Sequence, residues 1–414
     1  MRIFLADTFF YPRGGSSNHA IALGKLLREK GHEVFHYAMH HPKSLPCPDT
    51  EKYFAPYIEF PELLKQGWRK GGMQVIKRTF YSKEVERNVE RMLTDIGGVD
   101  VAHVHNFFHQ LTPSIFEPFR KRKIPIIVTL HDYTFICPNT SFFDERRGHV
   151  CHRCLKGGIR LLSPFFTCCK KNSFSASAIA SLESIFHRLR RVPSIPDLFI
   201  APSRFIAERF VDAGFPQNKI KVIPNFFDPN IKAAEIPRSG DDSFALYAGR
   251  LSHEKGVATL IEAWQKMPPE CRLKIAGTGP LSERLKEQAK DSRNIEFLGF
   301  VPPEKISAIR AKARFTIVPS EWWENAPLTI IESFADGIPV LGANIGGIPE
   351  LVVPNETGVL FEPGNAADLK AQAFYLWNRP ERCIELGANA RETALSKYTP
   401  EKLIPEIINA YKSV

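Results

Sequence analysis

The sequence predicts an α/β protein with two domains, each built around a parallel β-sheet. Short apolar runs alternate with stretches of helical periodicity along the 414 residues, and the alternation restarts at Phe244. This alternation is typical of parallel sheets, because two parallel strands need a crossover that is usually a helix. A chain of this length can bury two separate cores. We expect a first domain over residues 1–228, a second over 244–397, and a linker at 229–243, where proline, serine and glycine collect.

The first domain opens with a β–loop–α–β unit. Residues 3–6 form the predicted strand, and the helix that follows runs to Lys30 before the next strand at 34–38. The loop before the helix contains Gly14 and Gly15, which allow a ligand to approach the backbone at the carboxyl end of the first strand. Turn geometry alone is the competing explanation for this glycine pair.

A later strand of the first domain ends in two polar residues. Residues 124–130 read as a buried strand, and His131 and Asp132 follow directly. Side chains at the carboxyl end of a parallel strand point into the crevice where α/β folds bind ligands. We therefore take His131 as a candidate site residue, with a histidine satisfied inside the core as the alternative. Residues 42–98 have little strand character and are expected to form an insertion near the entrance of the site.

Several cysteines of the first domain are spaced for a metal site. The candidate ligands are Cys137, Cys151, Cys154 and Cys168, with Cys169 as the alternative to the last. In a cytosolic protein this pattern favours a metal over disulfides. The turn from Cys151 to Cys154 can bring two thiolates onto one tetrahedral Zn²⁺. We predict a structural, non-catalytic zinc in a cysteine-rich lobe over residues 137–169; free thiols, an oxidised pair and an iron–sulfur cluster are the alternatives.

The second domain carries a phosphate-binding pattern. Its first predicted strand is followed by the sequence Arg-Leu-Ser-His-Glu-Lys-Gly, in which Arg250 and Lys255 are placed to contact one phosphate group, aided by a helix N-terminus. Gly277 and Gly279 form a strand-to-helix turn suited to the ribose or base of a nucleoside. Two cations and a helix end can neutralise a diphosphate leaving group without a metal, so we predict no cofactor for catalysis.

Two glutamates lie around a predicted helix start. Residues 315–320 predict a buried strand, and Pro327 marks the start of a helix whose apolar residues recur at helical spacing. Glu324 is therefore expected on the loop and Glu332 inside the helix, beside backbone N–H groups that can hold an anion. Acids around an anion-binding helix end indicate a ligand with both hydroxyls and phosphate. Two glutamates on a solvated helix are the alternative.

The net charge of +10 is concentrated in the first half of the chain. Residues 1–200 hold 29 Lys and Arg against 18 Asp and Glu. This excess favours an anionic partner, and nearby aromatic residues point to the anionic surface of a membrane. These aromatics are Phe54, Tyr57, Phe60, Trp68, Phe80 and Tyr81. Without an apolar run of ~18 residues or a signal-peptide pattern, we predict a cytoplasmic protein with peripheral contact to the inner face of the membrane; a basic surface without a dedicated partner is the alternative.

These motifs together resemble the retaining glycosyltransferases of family 4, which have the GT-B fold: two Rossmann-like domains that face each other across a cleft. The resemblance covers essentially the whole chain and rests on Gly14-Gly15, His131-Asp132, Gly249-Arg250-Leu251, Glu254-Lys255-Gly256, Gly277-Thr278-Gly279, Glu324 and Glu332. Residues 398–411 resemble the final helix of that fold, so residues 398–414 are expected to pack back on the first domain.

The resemblance implies a nucleotide-diphosphate sugar as donor and a saccharide or lipid-linked acceptor, such as a surface-polysaccharide intermediate. It makes His131, Glu324, Arg250 and Lys255 the catalytic candidates, with His131 and Glu324 at the donor sugar and the two cations at the diphosphate. The remaining donor-binding candidates are Gly14, Gly15, Gly277, Gly279, Asn325, Ala326, Pro327, Leu328 and Glu332. Glu332 would hold the ribose hydroxyls. We expect the leaving phosphate to accept the proton of the acceptor, without a protein nucleophile.

Two other interpretations stay open at this point. An inverting transferase or a sugar-nucleotide epimerase of the same fold needs a base near the acceptor, for which His105 and Asp132 are the candidates. A zinc-stabilised nucleic-acid-binding protein would use the basic half and the cysteines. It leaves Glu324 and Glu332 unexplained, and basic residues do not interleave with aromatics along one stripe. We therefore predict no nucleic-acid partner.

Overall fold

The computed structural model describes residues 1–57, 79–228 and 243–414. Residues 229–242 of the predicted linker, and the predicted membrane contacts Phe60 and Trp68, lie outside the described residues. The strands of the first part are β1 Arg2–Ala6, β2 Glu33–Tyr37, β3 Met39–His40, β4 Ala55–Pro56, β5 Val101–Val104, β6 Ile126–Thr129, β7 Phe143–Asp144, β8 His149–Val150, β9 Leu198–Ala201 and β10 Ile220–Val222. Those of the second part are β11 Phe244–Ala248, β12 Leu273–Ala276, β13 Ile295–Gly299, β14 Ala313–Val318, β15 Val340–Ala343 and β16 Gly358–Phe361.

Helices connect these strands. They span Gly15–Glu29, Lys83–Ile96, Glu117–Arg122, Ser163–Thr167, Phe174–Leu189, Arg204–Asp212, Val257–Trp264, Ser282–Gln288, Pro303–Arg310, Leu328–Ala335, Ile348–Leu351, Ala366–Trp377, Pro380–Lys397 and Pro400–Lys412. None of the helices in the described part of the chain is long and apolar enough to cross a membrane.

Two six-stranded sheets organise the molecule, one in each half. The first has the order β10-β9-β6-β5-β1-β2 and the second the order β13-β12-β11-β14-β15-β16. Every pairing within both sheets is parallel. The central strands are continuous apolar runs because helices cover both faces of each sheet. The predicted pair of Rossmann-like parallel-sheet domains is confirmed; the sixth strand of the second sheet, β16, was missing from the sequence prediction.

The last helix, Pro400–Lys412, packs against the first sheet. Its residues Leu403, Ile404 and Ile407 share one buried cluster with Ile3 and Leu5 of β1. The Tyr411 hydroxyl lies 2.8 Å from His103 Nδ1 at the end of β5, and Phe227 N–H donates to the Tyr398 carbonyl at 3.2 Å. The C-terminal segment thus completes the core of the first half, although it follows the second half in sequence. The division of the chain at residues 228 and 244 remains a prediction.

The predicted insertion, as far as it is described, packs into the first domain. Helix Lys83–Ile96 begins at the N-cap Ser82, whose side chain accepts from Val85 N–H, and ends at Gly97 with φ of 77°. Phe54 is only 4% exposed and belongs to the core cluster of the first domain. The expectation that Phe54 contacts a membrane is therefore wrong, because its ring is already covered by the protein.

A buried ion-pair network holds two helices of the second domain together. Arg310 is 1% exposed; its Nε donates to Asp336 Oδ2 at 2.6 Å and its Nη1 to Glu332 Oε2 at 2.9 Å. Ser307 Oγ donates to the other oxygen of Asp336 at 2.8 Å. The network joins helix Pro303–Arg310 to helix Leu328–Ala335, which carries one of the two predicted site glutamates.

We expect Asp336→Ala to lower the free energy of unfolding by about 3–5 kcal/mol, because it leaves the Arg310 guanidinium buried with half of its counter-charge. The measurement is denaturant unfolding followed by tryptophan fluorescence. The matched control is Glu262→Ala, which removes a solvent-exposed partner of Lys266 and should change stability by less than about 0.5 kcal/mol. Equal effects of the two substitutions would contradict the prediction.

Candidate active site

The candidate site centres on an ion pair between Lys255 and Glu324. Lys255 Nζ donates to Glu324 Oε1 at 2.6 Å, and Ser320 Oγ donates to the same oxygen at 2.7 Å. The Glu324 side chain is 7% exposed and the Lys255 side chain 26%. Burial raises the pKa of the Glu324 carboxyl, but the charge of Lys255 and the hydrogen bonds around it outweigh burial, so the pKa lies below its ordinary value. Glu324 is therefore a carboxylate at neutral pH.

A glycine brings these two residues together. Gly256 follows Lys255 with φ of 66°, and a Cβ at this position would lie 1.8 Å from the Pro319 carbonyl oxygen. Only glycine permits this backbone contact between the Lys255 loop and the end of β14. Glu321 N–H also donates to the Glu254 carbonyl at 2.9 Å. The sequence Glu-Lys-Gly is therefore needed to place the lysine against the acid loop, which is the loop of residues 319–327 that carries Glu324.

The loop of Arg250 packs on the Gly277 turn. Leu251 N–H donates to the Thr278 carbonyl at 3.1 Å, and a Cβ on Gly277, whose φ is 137°, would lie 1.8 Å from the Gly249 carbonyl oxygen. Packing of one loop on the other explains these glycines by itself, and their donor-binding role remains a prediction. Arg250 is exposed on this loop. Its guanidinium takes part in no ion pair within the described residues, so it is available to an anion.

The first domain holds the acid loop by hydrogen bonds. Asn325 Nδ2 donates to the Leu130 carbonyl at 2.6 Å, and Ser203 Oγ donates to Asn325 Oδ1 at 2.9 Å. Asn225 Nδ2 donates to the Ala326 carbonyl at 3.1 Å. Because Leu130 directly precedes His131, the bond to Leu130 sets the distance between the two halves of the site. Both polar atoms of the Asn325 side chain are thus used between the domains.

Further contacts close the two domains on each other. Gly15, at the start of the first helix, lies against Leu328, and a Cβ on Gly15 would stand 3.4 Å from Leu328 Cδ1. Glu350 of the second domain accepts from the backbone N–H groups of Arg204 and Phe205 at 2.8 and 2.5 Å, at the N-terminus of a first-domain helix. Gly15 of the first domain therefore contacts Leu328 of the second, and the loop that carries Glu324 is bonded to the residue before His131.

His131 belongs to a group of buried imidazoles. Its Nε2 lies 2.7 Å from His105 Nδ1, and the two rings stack with centroids 5.0 Å apart. The His103 ring is tilted by 37° to the His105 ring with centroids 4.4 Å apart, and the His19 ring centroid lies 6.1 Å from that of His131. Burial lowers the pKa of His105 and His131 well below the ordinary value, and the neighbouring histidines lower it further. His131 is therefore neutral, with one ring nitrogen fixed by His105.

Glu332 has a partner in the second domain. Its Oε2 accepts from Arg310, and its side chain remains 28% exposed. The pair fixes the carboxylate on the first turns of helix Leu328–Ala335 while the other oxygen remains for a ligand. The predicted arrangement, with Glu324 on the loop and Glu332 in the helix, is confirmed. The ribose-binding role of Glu332 remains a prediction.

A cavity of about 340 Å³ lies next to His131 in the first domain. Thr8, His105 and His131, at the carboxyl ends of β1, β5 and β6, line it together with Asp132. Lys170 and Lys171 also line it. Asp132 accepts from Thr134 N–H at 2.8 Å and from the Thr134 hydroxyl, and burial raises the pKa of its carboxyl.

The predicted structural zinc site is not supported. Within residues 1–57, 79–228 and 243–414, no group of three or more His, Cys, Asp or Glu side chains is arranged to hold a metal ion. All eight cysteines are free thiols, among them Cys137, Cys151, Cys154, Cys168 and Cys169. Burial raises the pKa of Cys137 to about 12 and also raises that of Cys154. The spacing along the chain places these cysteines near one another, but their side chains do not have the geometry of metal ligands.

Hydrogen bonds and aromatic packing hold the cysteine-rich lobe instead. Asn139 Nδ2 donates to the carbonyls of Phe143 and Cys169 at 2.7 and 3.0 Å. The lobe contacts the acid loop through Trp323, whose ring stacks on His152 at 5.9 Å with an interplanar angle of 13° and meets Phe142 at 5.4 Å. The lobe therefore touches the residue that directly precedes Glu324.

Several residues of the site were missing from the sequence prediction. They are Ser203, Asn225, Ser320, Trp323 and Glu350, which position the acid loop, and Lys170, which lines the cavity. Ser203 has a local signal, since serine is a preferred N-cap residue, and it does cap helix Arg204–Asp212. Asn225, Trp323 and Glu350 make contacts across the domains or with the lobe, and their local sequence indicates only a loop or a helix. Ser320 bonds to Glu324 four residues along the same loop.

The fold and the site define a class: two Rossmann-like domains closed over a lysine–glutamate pair are the GT-B architecture. The model of the family "Glycosyltransferase Family 4" matches residues 13–231, and that of "Glycosyl transferases group 1" matches residues 230–393. The chain belongs to glycosyltransferase family 4. This confirms the family and the GT-B fold expected from the motifs.

Relatives and solved structures agree with this family. The chain is 22% identical over 428 residues to N-acetyl-alpha-D-glucosaminyl L-malate synthase of Bacillus anthracis, covering 100% of this chain and 98% of that protein. An uncharacterized glycosyltransferase of Methanocaldococcus jannaschii is 27% identical over 217 residues, covering 48% of this chain and 55% of that protein. The chain thus spans about half the length of several relatives that it matches.

Two solved structures share the fold over the whole chain. Sucrose-phosphate synthase from Thermosynechococcus elongatus has a TM-score of 0.70 at 17% identity, with 100% of this chain and 98% of that chain covered. HepE of Anabaena, solved in complex with UDP-glucose, has a TM-score of 0.66 at 18% identity, with full coverage of both chains. At this identity the likeness shows the fold.

The buried histidines predict a loss of stability in mild acid. Burial lowers the pKa of His36 to about 3 and that of His19 to about 4, whereas an unfolded histidine titrates near 6.5. Between these values the unfolded chain binds protons that the folded chain does not, so stability falls as the pH falls below about 6.5.

We expect His36→Leu to reduce the slope of stability against pH between pH 6 and 5 by up to about 1.4 kcal/mol per pH unit. The measurement is denaturant unfolding at several pH values. His149→Asn, at an exposed histidine, is the control and should leave the slope unchanged. Parallel pH curves for wild type and His36→Leu would show that His36 does not contribute.

Proposed function

We propose that this protein transfers a sugar from a nucleotide-diphosphate donor to an acceptor hydroxyl, with retention of the anomeric configuration. The observation that carries the proposal is the Lys255–Glu324 ion pair, held at 2.6 Å beside the His131 strand end by the bond from Asn325 to Leu130. The ion pair brings together a cation that can bind phosphate and an acid that can bind the hydroxyls of a sugar. The complex of the Anabaena neighbour with UDP-glucose supports a uridine nucleotide as the first donor to test.

The cations act on the leaving group. Breaking the glycosidic bond develops positive charge at the sugar and negative charge on the departing phosphate. Lys255 and the exposed Arg250 follow the same strand, so both can meet a diphosphate at this edge of the second sheet. Fixed cations stabilise the developing charge more strongly than the ground state, which raises the rate rather than only the affinity. This chemistry uses no catalytic metal.

His131 and Glu324 would hold the sugar from opposite domains. The His105 contact leaves Nδ1 of His131 for a donor hydroxyl, and neutral imidazole does not repel the oxocarbenium character of the transition state. The leaving phosphate oxygen would accept the proton of the acceptor, which enters on the face where the leaving group departs. No protein nucleophile is needed for retention by this route.

An inverting reaction is the second candidate, and one observation favours it. Asp132 lines the cavity next to His131 with a carboxyl whose pKa burial raises, which suits a general base. The anomeric configuration of the product, determined by NMR, decides between the two. An α-linked product from an α-linked donor supports retention, and a β-linked product supports Asp132 as the base.

An anionic membrane surface is a fitting location for the acceptor. Residues 146–196 contain ten Lys and Arg and one acidic residue, Glu183. Within this segment, Ile159, Phe166, Phe174 and Leu189 are 83%, 82%, 61% and 79% exposed. Exposed apolar side chains among cations are typical of peripheral contact with anionic lipid. This basic segment, residues 146–196, would present a lipid-linked acceptor to the first domain in a cytoplasmic enzyme bound to the inner face of the membrane.

We expect Lys255→Ala and Glu324→Ala each to lower kcat/KM for transfer at least about a hundredfold, since each removes a fixed charge from the reacting groups. A donor screen by thermal shift, with UDP-glucose and other nucleotide sugars, identifies the donor for this assay. The matched controls Lys266→Ala and Glu262→Ala break an exposed pair of the same domain and should keep wild-type activity. Wild-type turnover in a folded Lys255→Ala or Glu324→Ala protein would reject the proposed roles.

We expect Phe166→Ser and Leu189→Ser each to weaken binding to phosphatidylglycerol vesicles roughly tenfold, because each removes an apolar side chain that lipid would bury. Vesicle co-sedimentation at low and high salt measures this, and binding should fall with salt. The control is Phe374→Ser, at a 41% exposed phenylalanine of the second domain. If Phe166→Ser and Leu189→Ser both sediment like wild type, the basic segment is not the membrane contact.

A further inference from the structure

The cavity beside His131 is formed by the first domain alone. All of its lining residues lie between Thr8 and Lys171, and its volume of about 340 Å³ falls in the range of small-ligand sites. One part of its wall is His131, at the candidate donor site, and another is Lys170 and Lys171, from the basic segment. A ligand in this cavity would therefore reach from the reacting centre to two ammonium groups.

Lys170 is a cation without a carboxylate partner. Its Nζ donates to the Pro138 carbonyl at 3.3 Å and lies 3.4 Å from His109 Nε2, and both contacts are long. An ammonium group has three donors, so one remains. None of the ion pairs in the described part of the chain includes Lys170. Burial lowers the pKa of this amine, which means that the charge is poorly solvated and that an anion beside it would stabilise it.

Two acidic groups lie near these ammonium groups. Asp132 lines the cavity, and one oxygen of its carboxylate accepts from the backbone and the hydroxyl of Thr134. Glu183 does not line the cavity; its Oε2 lies 3.1 Å from His109 Nδ1, and its Oε1 has no hydrogen-bond partner among the described residues. The wall itself thus combines two ammonium groups with one carboxylate. A phosphate monoester, with a charge of about −1.5 to −2 at neutral pH, matches two ammonium groups better than a singly charged carboxylate does.

We propose that this cavity binds the phosphate group of the acceptor, with Lys170 and Lys171 as its cationic contacts, and thereby places an acceptor hydroxyl at His131. The proposal rests on the proposed transferase function and adds the substrate class: the acceptor is a phosphorylated sugar, either soluble or linked through phosphate to a lipid. Lys170 and Lys171 are specificity residues in this assignment, and neither takes part in bond breaking.

The test measures phosphate recognition apart from donor binding. Wild-type protein is saturated with UDP, so that Arg250 and Lys255 are occupied, and is then titrated calorimetrically with glucose 1-phosphate and, separately, with glucose. We expect glucose 1-phosphate to bind at least tenfold more tightly than glucose. Lys170→Met should remove this preference, and Lys170→Arg should restore part of it. Lys171→Met, at an exposed position that does not endanger folding, should weaken glucose 1-phosphate binding severalfold.

The matched control is Lys156→Met, at an exposed lysine of the same segment that does not line the cavity. It should bind glucose 1-phosphate like wild type, and all variants should bind UDP like wild type. Unchanged glucose 1-phosphate binding in both Lys170→Met and Lys171→Met would overturn the proposal and leave the transferase function standing. If UDP does not bind, the titration is repeated with the nucleoside diphosphate that the thermal-shift screen identifies; failure of wild-type protein to bind any nucleotide sugar or nucleoside diphosphate would instead overturn the transferase function, and the acceptor assignment with it.

A further arm identifies the source of the phosphate. Phosphatidylcholine vesicles with and without a polyprenyl phosphate are added as competitors to the glucose 1-phosphate titration. Competition by the phosphate-bearing vesicles alone assigns the cavity to a lipid-linked acceptor. Unaltered glucose 1-phosphate binding in both assigns it to a soluble sugar phosphate.

Discussion

A carboxylate buried between two domains needs a cation, and in this protein Lys255 supplies it to Glu324. The pair forms only because Gly256 lets the lysine loop touch the end of β14, where a side chain would collide with the Pro319 carbonyl. Ser320 binds the same carboxylate oxygen, so the acid is fixed in position as well as in charge. The site is therefore preorganised before a ligand arrives, which is what stabilisation of a developing charge requires.

The acid loop also lies where the two domains contact each other. Asn325 bonds to Leu130, Asn225 to Ala326, and Glu350 to the start of helix Arg204–Asp212, so both domains determine where the loop lies. Trp323 extends this junction to the cysteine-rich lobe through its contact with His152. A change in the packing of the lobe therefore acts on the residue next to Glu324. This connection gives the lobe a structural purpose that does not depend on a metal.

The two domains carry positive charge for different proposed ligands. In the proposed function, Arg250 and Lys255 of the second domain bind the donor diphosphate, whereas the first domain carries the basic segment, residues 146–196, with its single acidic residue. Exposed apolar side chains of that segment face outward, and Lys170 lines the cavity beside His131. One basic segment thus serves both the proposed membrane contact and the proposed recognition of a phosphorylated acceptor. Burial keeps the pKa of His131 well below its ordinary value, so this imidazole adds no positive charge to the wall of the cavity.

The sequence by itself determined the two parallel sheets, the placement of Glu324 before a helix and Glu332 within it, and the strand-end position of His131. Apolar runs, glycine stops and strand ends are local features, and a parallel sheet collects strand ends at one edge. The tertiary structure decided which polar groups pair, as Arg310 does with Glu332 and Asn325 with the Leu130 carbonyl. It placed Lys170 in the wall of a cavity. It also decided that the cysteines are not metal ligands, because ligand geometry depends on side-chain directions that spacing along the chain does not fix. Pairing across domains has no local signature, since its partners lie from 101 to 195 residues apart.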